Sequence, residues 1–149
     1  MIQHTIRREL WVPGPIAEVF AFFADAANLD RLTPPWLHFK ILTPRVTMTQ
    51  GTKIDYALRI HGIPLRWQSE ITSWQPPFRF VDEQRKGPYR AWIHEHTFEE
   101  KDGGTLVRDV VQYTVRGGEI VRRLLVAPDL EKIFTYRTQQ LSRIWAHNH

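Results

Sequence analysis

The stretch Trp92-Ile93-His94-Glu95-His96-Thr97-Phe98 decides the fold, because its residues alternate in character as those of a β-strand do. Side chains two positions apart lie on the same face of a strand. One face of this strand therefore carries two imidazoles, from His94 and His96, between two large aromatic side chains, from Trp92 and Phe98. Such a face is too apolar for a solvent-exposed surface and too polar for an ordinary hydrophobic core. It predicts the wall of a ligand pocket.

The segment that follows predicts a second strand with a related face. In residues 107–115, every other side chain is apolar except for the carboxylate of Asp109 and the phenol of Tyr113. A carboxylate on an apolar face must find a partner, because an unpaired buried charge is costly. The two strands together predict a pocket wall that carries ionisable groups.

Length and composition fit a single domain over residues 1–149. Folding a chain of this size buries roughly two-thirds of its unfolded surface, which leaves room for a core and an internal cavity. Cysteine is absent, which excludes disulfides, thiolate metal sites and thiol nucleophiles. No apolar run approaches the ~20 residues that span a bilayer, and the first residues lack a signal-peptide core. We therefore expect a cytoplasmic protein without integral membrane association.

The net charge of +4 and the sequence pI of about 9.7 raise the question of a nucleic-acid partner. Arginines alternate with acids along the chain, however, and no basic block of five residues occurs. This distribution predicts a mixed-charge surface and no nucleic-acid binding. For the oligomeric state, the expectation is a monomer or a weak homodimer.

The hydrophobic period changes twice along the chain. A helix is predicted after Pro15, and a second short helix is expected to run from a cap at Asp25 to Leu32. Helical periodicity returns after Gly118 and continues to the end, with Pro128 kinking the long helix or starting its second half. Seven strands are predicted, near residues 3–12, 36–43, 52–61, 64–75, 78–86, 89–100 and 105–116. Short turns between them predict antiparallel neighbours.

Alternation within three of these strands predicts which side chains face the interior, although a single β-bulge would flip any set. The favoured sets are Ile54, Tyr56, Leu58 and Ile60, then Leu65, Trp67, Ser69 and Ile71, then Phe80, Asp82 and Gln84.

The apolar stripe of the long C-terminal helix contains a charge. Its members are Leu130, Ile133, Phe134, Arg137, Leu141, Ile144 and Trp145. Arg137 must either snorkel to the edge or meet an inward acid, for which Asp82 and Asp109 are the candidates. One interpretation is a structural ion pair between helix and sheet. The other is an anchor for the carboxylate or phenolate of an apolar ligand.

In element order the whole chain resembles the helix-grip, or Bet v 1-like, superfamily, which also holds the START domains and the polyketide cyclase/dehydrase proteins. Locally it is similar to bacterial cyclase/dehydrase-like members at Trp67, at Asp82–Gln84 followed by Gly87–Tyr89, in the run 92–98, and at Asp109 with Tyr113. The resemblance implies an α+β fold. A curved, seven-stranded antiparallel sheet would wrap around the long C-terminal helix, with two short helices after the first strand.

The resemblance also implies a cavity between sheet and helix that binds a hydrophobic or amphipathic small molecule, such as a lipid, a polyketide or an aromatic compound. The side chains expected to line it are Tyr56, Trp67, Phe80, Asp82, Gln84, Trp92, His94, His96, Phe98, Asp109, Tyr113, Phe134 and Arg137.

The two histidines allow two interpretations. They lie about 6.5–7 Å apart along the strand, and each is expected to hydrogen-bond Asp109, Tyr113 or the backbone as part of a binding pocket. Alternatively, His94 or His96, oriented by Asp109 and accompanied by Tyr113, would act as general acid or base in an aromatising cyclisation or a dehydration. A third possibility is a partner-binding module whose cavity has lost its use. Binding of a small molecule is the favoured function.

A metal site is the weaker alternative. The spacing of Gly87, His94-X-His96, Glu100 and Gly104 is close to the first cupin motif. The interval before the histidines is one residue too long, however, and no later strand supplies a third histidine. Two imidazoles and a carboxylate can hold zinc or iron, but we expect neither a metal nor another cofactor.

Overall fold

The computed structural model describes residues 2–148. Seven strands, β1 to β7, cover His4–Val12, Lys40–Ile41, Lys53–Ile60, Ile63–Gln75, Arg79–Lys86, Ala91–Lys101 and Gly104–Thr114. Four α-helices, α1 to α4, cover Ile16–Phe23, Asn28–Leu32, Gly118–Val121 and Ala127–Asn148. A 3₁₀ turn at Pro35–Leu37 precedes β2, and a π-helical turn at Arg122–Val126 joins α3 to α4.

All seven strands belong to one antiparallel sheet with the order β1-β7-β6-β5-β4-β3-β2. Hairpins connect β3 through β7 in sequence, and the last strand returns to pair with the first over nine residue pairs. The helix-grip architecture implied by the resemblance is confirmed. The sheet curves around α4, because both need an apolar cover and each supplies it to the other.

The core consists of two apolar clusters on the concave side of the sheet. The first joins the buried stripe of α1, which includes Phe20 and Phe23, to Leu141 and Trp145 near the end of α4. The second joins β7 to the first half of α4 and contains Phe134. The cavity and its polar groups contact both clusters. No helix within residues 2–148 is long and apolar enough to cross a membrane.

Two sequence-based predictions of local structure were wrong. The strand expected at 36–43 is reduced to Lys40–Ile41, because the two prolines before Trp36 start a 3₁₀ turn instead. Asp25 does not cap α2. Its carboxylate accepts a hydrogen bond from the backbone N–H of Ala27, and the helix begins only at Asn28.

The long helix departs from regular α geometry ahead of Pro128. Proline has no N–H to donate to the carbonyl of residue 124, and its ring crowds that carbonyl. The chain makes a wider π turn over Arg122–Val126, and α4 starts one residue before the proline. Pro128 therefore lies in the first turn of α4, which agrees with the predicted alternative in which it starts the second half of the long helix.

Candidate functional site

A cavity of about 210 Å³ lies between the concave face of the sheet and α4. Nine of the side chains predicted to bind a ligand line it, and they are Tyr56, Trp67, Phe80, Asp82, Trp92, His94, His96, Phe134 and Arg137. Most of the remaining wall is aliphatic or aromatic. The cavity is thus an apolar chamber with one ionisable end, as expected of a small-molecule site.

Four predicted residues lie outside the cavity lining. Gln84 exchanges two hydrogen bonds with the backbone of Tyr89 and holds the β5–β6 turn. Phe98 packs on Phe20 and Phe23 in the first cluster. Tyr113 is buried in the second cluster. The fourth residue, Asp109, lies behind the two histidines and is described below.

The irregular segment after α2 contributes a part of the wall that the sequence did not predict. Leu37, Phe39 and Met48 all line the cavity. The signal in the sequence for Leu37 and Phe39 was the alternation that predicted a strand at 36–43, and that strand was not assigned to the cavity. A wider groove of about 980 Å³ shares Leu37 and Tyr89 with the cavity and opens to the surface beside Trp36. This groove therefore borders the chamber.

The ionisable end is built by crossed pairs on three adjacent strands. Asp82 on β5 lies directly across from His94 on β6, and Asp109 on β7 lies directly across from His96. Each carboxylate nevertheless bonds the other histidine, since diagonal neighbours on one face are within reach of long side chains. The distance from His94 Nε2 to Asp109 Oδ1 is 2.8 Å, and that from His96 Nε2 to Asp82 Oδ2 is 2.7 Å.

Arg137 completes the cluster from the helix side. Its Nε and Nη2 donate to the two carboxylate oxygens of Asp109 at 3.1 and 3.2 Å. Its guanidinium also lies 5.3 Å from the ring centroid of Phe23. The inward acid that pairs with Arg137 is therefore Asp109 and not Asp82, which supports the structural interpretation of this arginine.

The two imidazoles are stacked between aromatic rings. The centroids of His94 and His96 lie 3.7 Å apart, and the ring of His96 lies 4.0 Å from that of Phe80. His96 Nδ1 is 3.3 Å from Asp109 Oδ1 but lacks hydrogen-bond geometry, so this contact is electrostatic. Both rings are thus fixed in place. Their closeness disfavours two imidazolium charges at once.

Charge in the cluster is set by burial and by these partners. Burial alone would raise the pKa of Asp109, but Arg137 and the histidines lower it well below its ordinary value. Burial would also raise the pKa of Asp82, and the hydrogen bond from His96 and the nearby cationic groups lower it. Both carboxylates are therefore ionised at neutral pH.

The two histidines shift in opposite directions. Burial, followed by the charge of His96, lowers the pKa of His94. Burial also acts to lower the pKa of His96, but the carboxylates of Asp109 and Asp82 outweigh it and raise that pKa. Of the two imidazoles, His96 is therefore the one that takes up a proton first. With His96 protonated, the charges of two carboxylates, one guanidinium and one imidazolium cancel.

One set of three side chains within residues 2–148 has the composition of a metal site. Ligand atoms of Asp82, His94 and His96 all lie within 4.8 Å of one another. The carboxylate that joins the histidines is Asp82, whereas Glu100 of the cupin-like spacing is exposed at the end of β6. Binding zinc or iron here would require His96 to give up its proton.

Comparison with known proteins gives the following results. A family model described as "Polyketide cyclase / dehydrase and lipid transport" matches residues 12–135. Protein Ms6760 from Mycobacterium smegmatis has 19% sequence identity and a TM-score of 0.72, and the match covers 97% of this chain and 92% of that one. Protein CV1439 from Chromobacterium violaceum has 16% identity and a TM-score of 0.74, over 95% and 97% of the two chains.

Ginseng major latex-like protein 151 from Panax ginseng has 12% identity and a TM-score of 0.71, over 99% of this chain and 98% of the ginseng protein. At such low identity these likenesses show the fold alone. Among curated protein sequences, none matches this chain.

Proposed function

The chain belongs to the polyketide cyclase/dehydrase and lipid transport family, and from this premise we propose that it binds a hydrophobic or amphipathic small molecule in the cavity beneath α4. The observation that supports this function is the combination of an apolar chamber with a single ionisable end. Burying several ionisable groups next to an apolar void is costly for folding alone. A ligand that fills the void and contacts the polar groups would account for ionisable side chains buried beside an apolar cavity.

The size of the chamber limits the ligand. Its volume of about 210 Å³ corresponds to about seven water molecules at ~30 Å³ each, which suits a compound of one or two rings. A longer ligand would extend into the groove beside Trp36. A free aromatic compound, a short polyketide and the head of a lipid all satisfy this limit.

Binding of N-phenyl-1-naphthylamine, a neutral fluorescent probe, tests the proposal. Its two-ring naphthalene matches the size of the chamber, and its phenyl ring would extend into the groove beside Trp36. Leu58 lines the cavity, whereas Ala57 occupies the opposite face of the same strand. We expect saturable binding to the unmodified protein and to Ala57→Trp. In Leu58→Trp the indole occupies the chamber, and affinity should fall at least roughly tenfold, or about 1.4 kcal/mol. Unchanged affinity in Leu58→Trp would place the probe elsewhere and contradict the proposal.

A second candidate function is catalysis of a cyclisation or dehydration. It is favoured by the opposite pKa shifts of two stacked imidazoles, since paired groups with divergent pKa values can serve as base and acid. An ionised carboxylate only accepts hydrogen bonds, so the Nε2 of His94 donates to Asp109. Neutral His94 would then present a bare Nδ1 as a base, and His96 would supply a proton.

Native mass spectrometry distinguishes the two functions. A bound compound is first identified in the purified protein, and its mass is then followed over time. The enzyme is supported if the unmodified protein converts the compound, for instance through loss of water, and if this conversion stops in both His94→Gln and His96→Gln. Release of the same compound unchanged supports a carrier. We further propose a cytoplasmic monomer or weak homodimer that does not bind nucleic acid.

A further inference from the structure

The arginine of the cavity is already neutralised by the protein. Asp109 holds Arg137 through two hydrogen bonds, and 8% and 10% of their respective side-chain areas are exposed. An anionic ligand would have to compete with a carboxylate that is fixed and largely desolvated. The ionisable end therefore lacks the excess positive charge that recognises carboxylates.

Asp82 presents a hydrogen-bond acceptor to the cavity. Oδ2 of Asp82 is bonded to His96, but no hydrogen bond from the side chains that the structure describes, those of residues 2–146, reaches its Oδ1. Its side chain lines the cavity and is 20% exposed. A carboxylate only accepts hydrogen bonds, so the ligand group that meets Asp82 must donate one.

A donor also lies at the same end of the cavity. The hydrogen bonds from Arg137 start at Nε and Nη2, and among the described residues none starts at Nη1. A hydroxyl group both donates and accepts, so it can satisfy Asp82 and Arg137 together. Aromatic side chains, including Trp67, Trp92 and Phe134, form the walls around this end and suit a ring that carries the hydroxyl.

We propose that the cavity selects a neutral, hydroxyl-bearing apolar ligand, a phenol or an alcohol, through Oδ1 of Asp82, and discriminates against carboxylates. This inference rests on the proposed binding function and specifies its ligand class. It replaces the alternative in which Arg137 anchors an acidic ligand.

Four probes that share a naphthalene frame test the selection by displacing N-phenyl-1-naphthylamine at pH 7. They are naphthalene, 2-naphthol, 2-naphthoate and the cation 2-(aminomethyl)naphthalene. We expect 2-naphthol to bind at least about tenfold more tightly than naphthalene, and 2-naphthoate to bind more weakly than naphthalene. Tightest binding by the carboxylate or by the cation would overturn the inference while leaving cavity binding intact. Failure of all four probes to bind would overturn the proposed function itself.

Variants at Asp82 test whether its carboxylate causes the preference for a hydroxyl-bearing ligand. In Asp82→Leu, 2-naphthol should lose its advantage and bind within about threefold of naphthalene. Asp82→Asn keeps the shape and one acceptor oxygen, so an intermediate preference is expected. Asp55→Asn is the matched control, because Asp55 lies on the exposed face of β3 in the same sheet. A tenfold preference that persists in Asp82→Leu would refute the role of Asp82, and the four-probe comparison in the unmodified protein remains decisive if that variant does not fold.

Discussion

Removing the guanidinium of Arg137 should destabilise the protein strongly. Arg137→Met keeps most of the aliphatic side chain but leaves Asp109, with 8% of its side chain exposed, without its bidentate partner. Losing one member of a buried ion pair typically costs about 3–5 kcal/mol. His94 remains hydrogen-bonded to Asp109 and can take up a proton, so we expect the lower end of this range, about 3 kcal/mol. For a domain of this size, this corresponds to a fall in Tm of roughly 6–12 °C.

Urea denaturation at pH 7, followed by tryptophan fluorescence, measures the effect. Arg8→Met is the matched control, because Arg8 pairs with Glu131 and so also joins the sheet to α4. That pair is exposed, at 32% and 67% of the side-chain areas, and its loss should cost only about 0–1 kcal/mol. A loss in Arg137→Met no larger than that in Arg8→Met would refute our account of the cluster. The double variant Arg137→Met with Asp109→Leu should recover much of the stability, because no unpaired charge is left buried.

The same variant should respond to pH in a defined direction. The folded-state pKa of Asp109 is lowered, with burial opposing and Arg137 causing the shift. The stability from this pair is therefore fully present above the unfolded pKa of about 3.9 and is lost as pH falls through the folded value. The difference in unfolding free energy between the unmodified protein and Arg137→Met should shrink as the pH drops below about 4. A constant difference from pH 7 down to acid unfolding would contradict this assignment.

Three further outcomes can be checked. In ¹⁵N-resolved NMR titrations of the imidazoles, His96 should titrate above the ordinary pKa of about 6.5 and His94 below it, so the reverse order would be inconsistent with the crossed pairing. Gly14→Ala should lower the free energy of unfolding by about 1–3 kcal/mol in thermal denaturation, because the added Cβ would lie 2.5 Å from the ring of Trp145. The control is Gly103→Ala, where only the positive φ of 76° opposes the substitution. A loss in Gly14→Ala no larger than that in Gly103→Ala would show that α4 adjusts easily. Phe134→Ala should cost about 3–5 kcal/mol, and saturating naphthalene should recover part of that stability if the enlarged space joins the cavity.

Local sequence patterns were sufficient to predict most of the fold. Period-two alternation identified the inward faces of β3, β5 and β6, and the stripe of α4 placed Arg137 inside. The segment 36–43 failed because a turn after prolines outweighed its apolar composition. The two register shifts between β4 and β5 were also beyond prediction, since they depend on pairing with another strand.

The sequence predicted many of the residues that meet at the candidate site, but not which of them hydrogen-bond to each other. That the histidines would meet acids followed from their shared face. Which acid each would meet depended on strand register and on the rotation of α4 over the sheet, neither of which is encoded locally. The cavity lining implied by the resemblance also included Gln84, Phe98 and Tyr113, but packing places them in a turn and in the two clusters.

The shortness of β2 has a consequence for how a ligand reaches the cavity. Leu37 and Phe39 line one side of the chamber. Among the described residues, their segment joins the sheet through the two-residue strand Lys40–Ile41, a backbone hydrogen bond from Leu42 to Asp55, and a hydrogen bond from the Asp55 N–H to the Thr43 hydroxyl. Segments held by so few bonds detach at a much lower free energy than whole-domain unfolding. Its amides should therefore exchange with deuterium far faster than those of β6 and β7, and we expect the proposed ligand to enter and leave the cavity on the side of this segment.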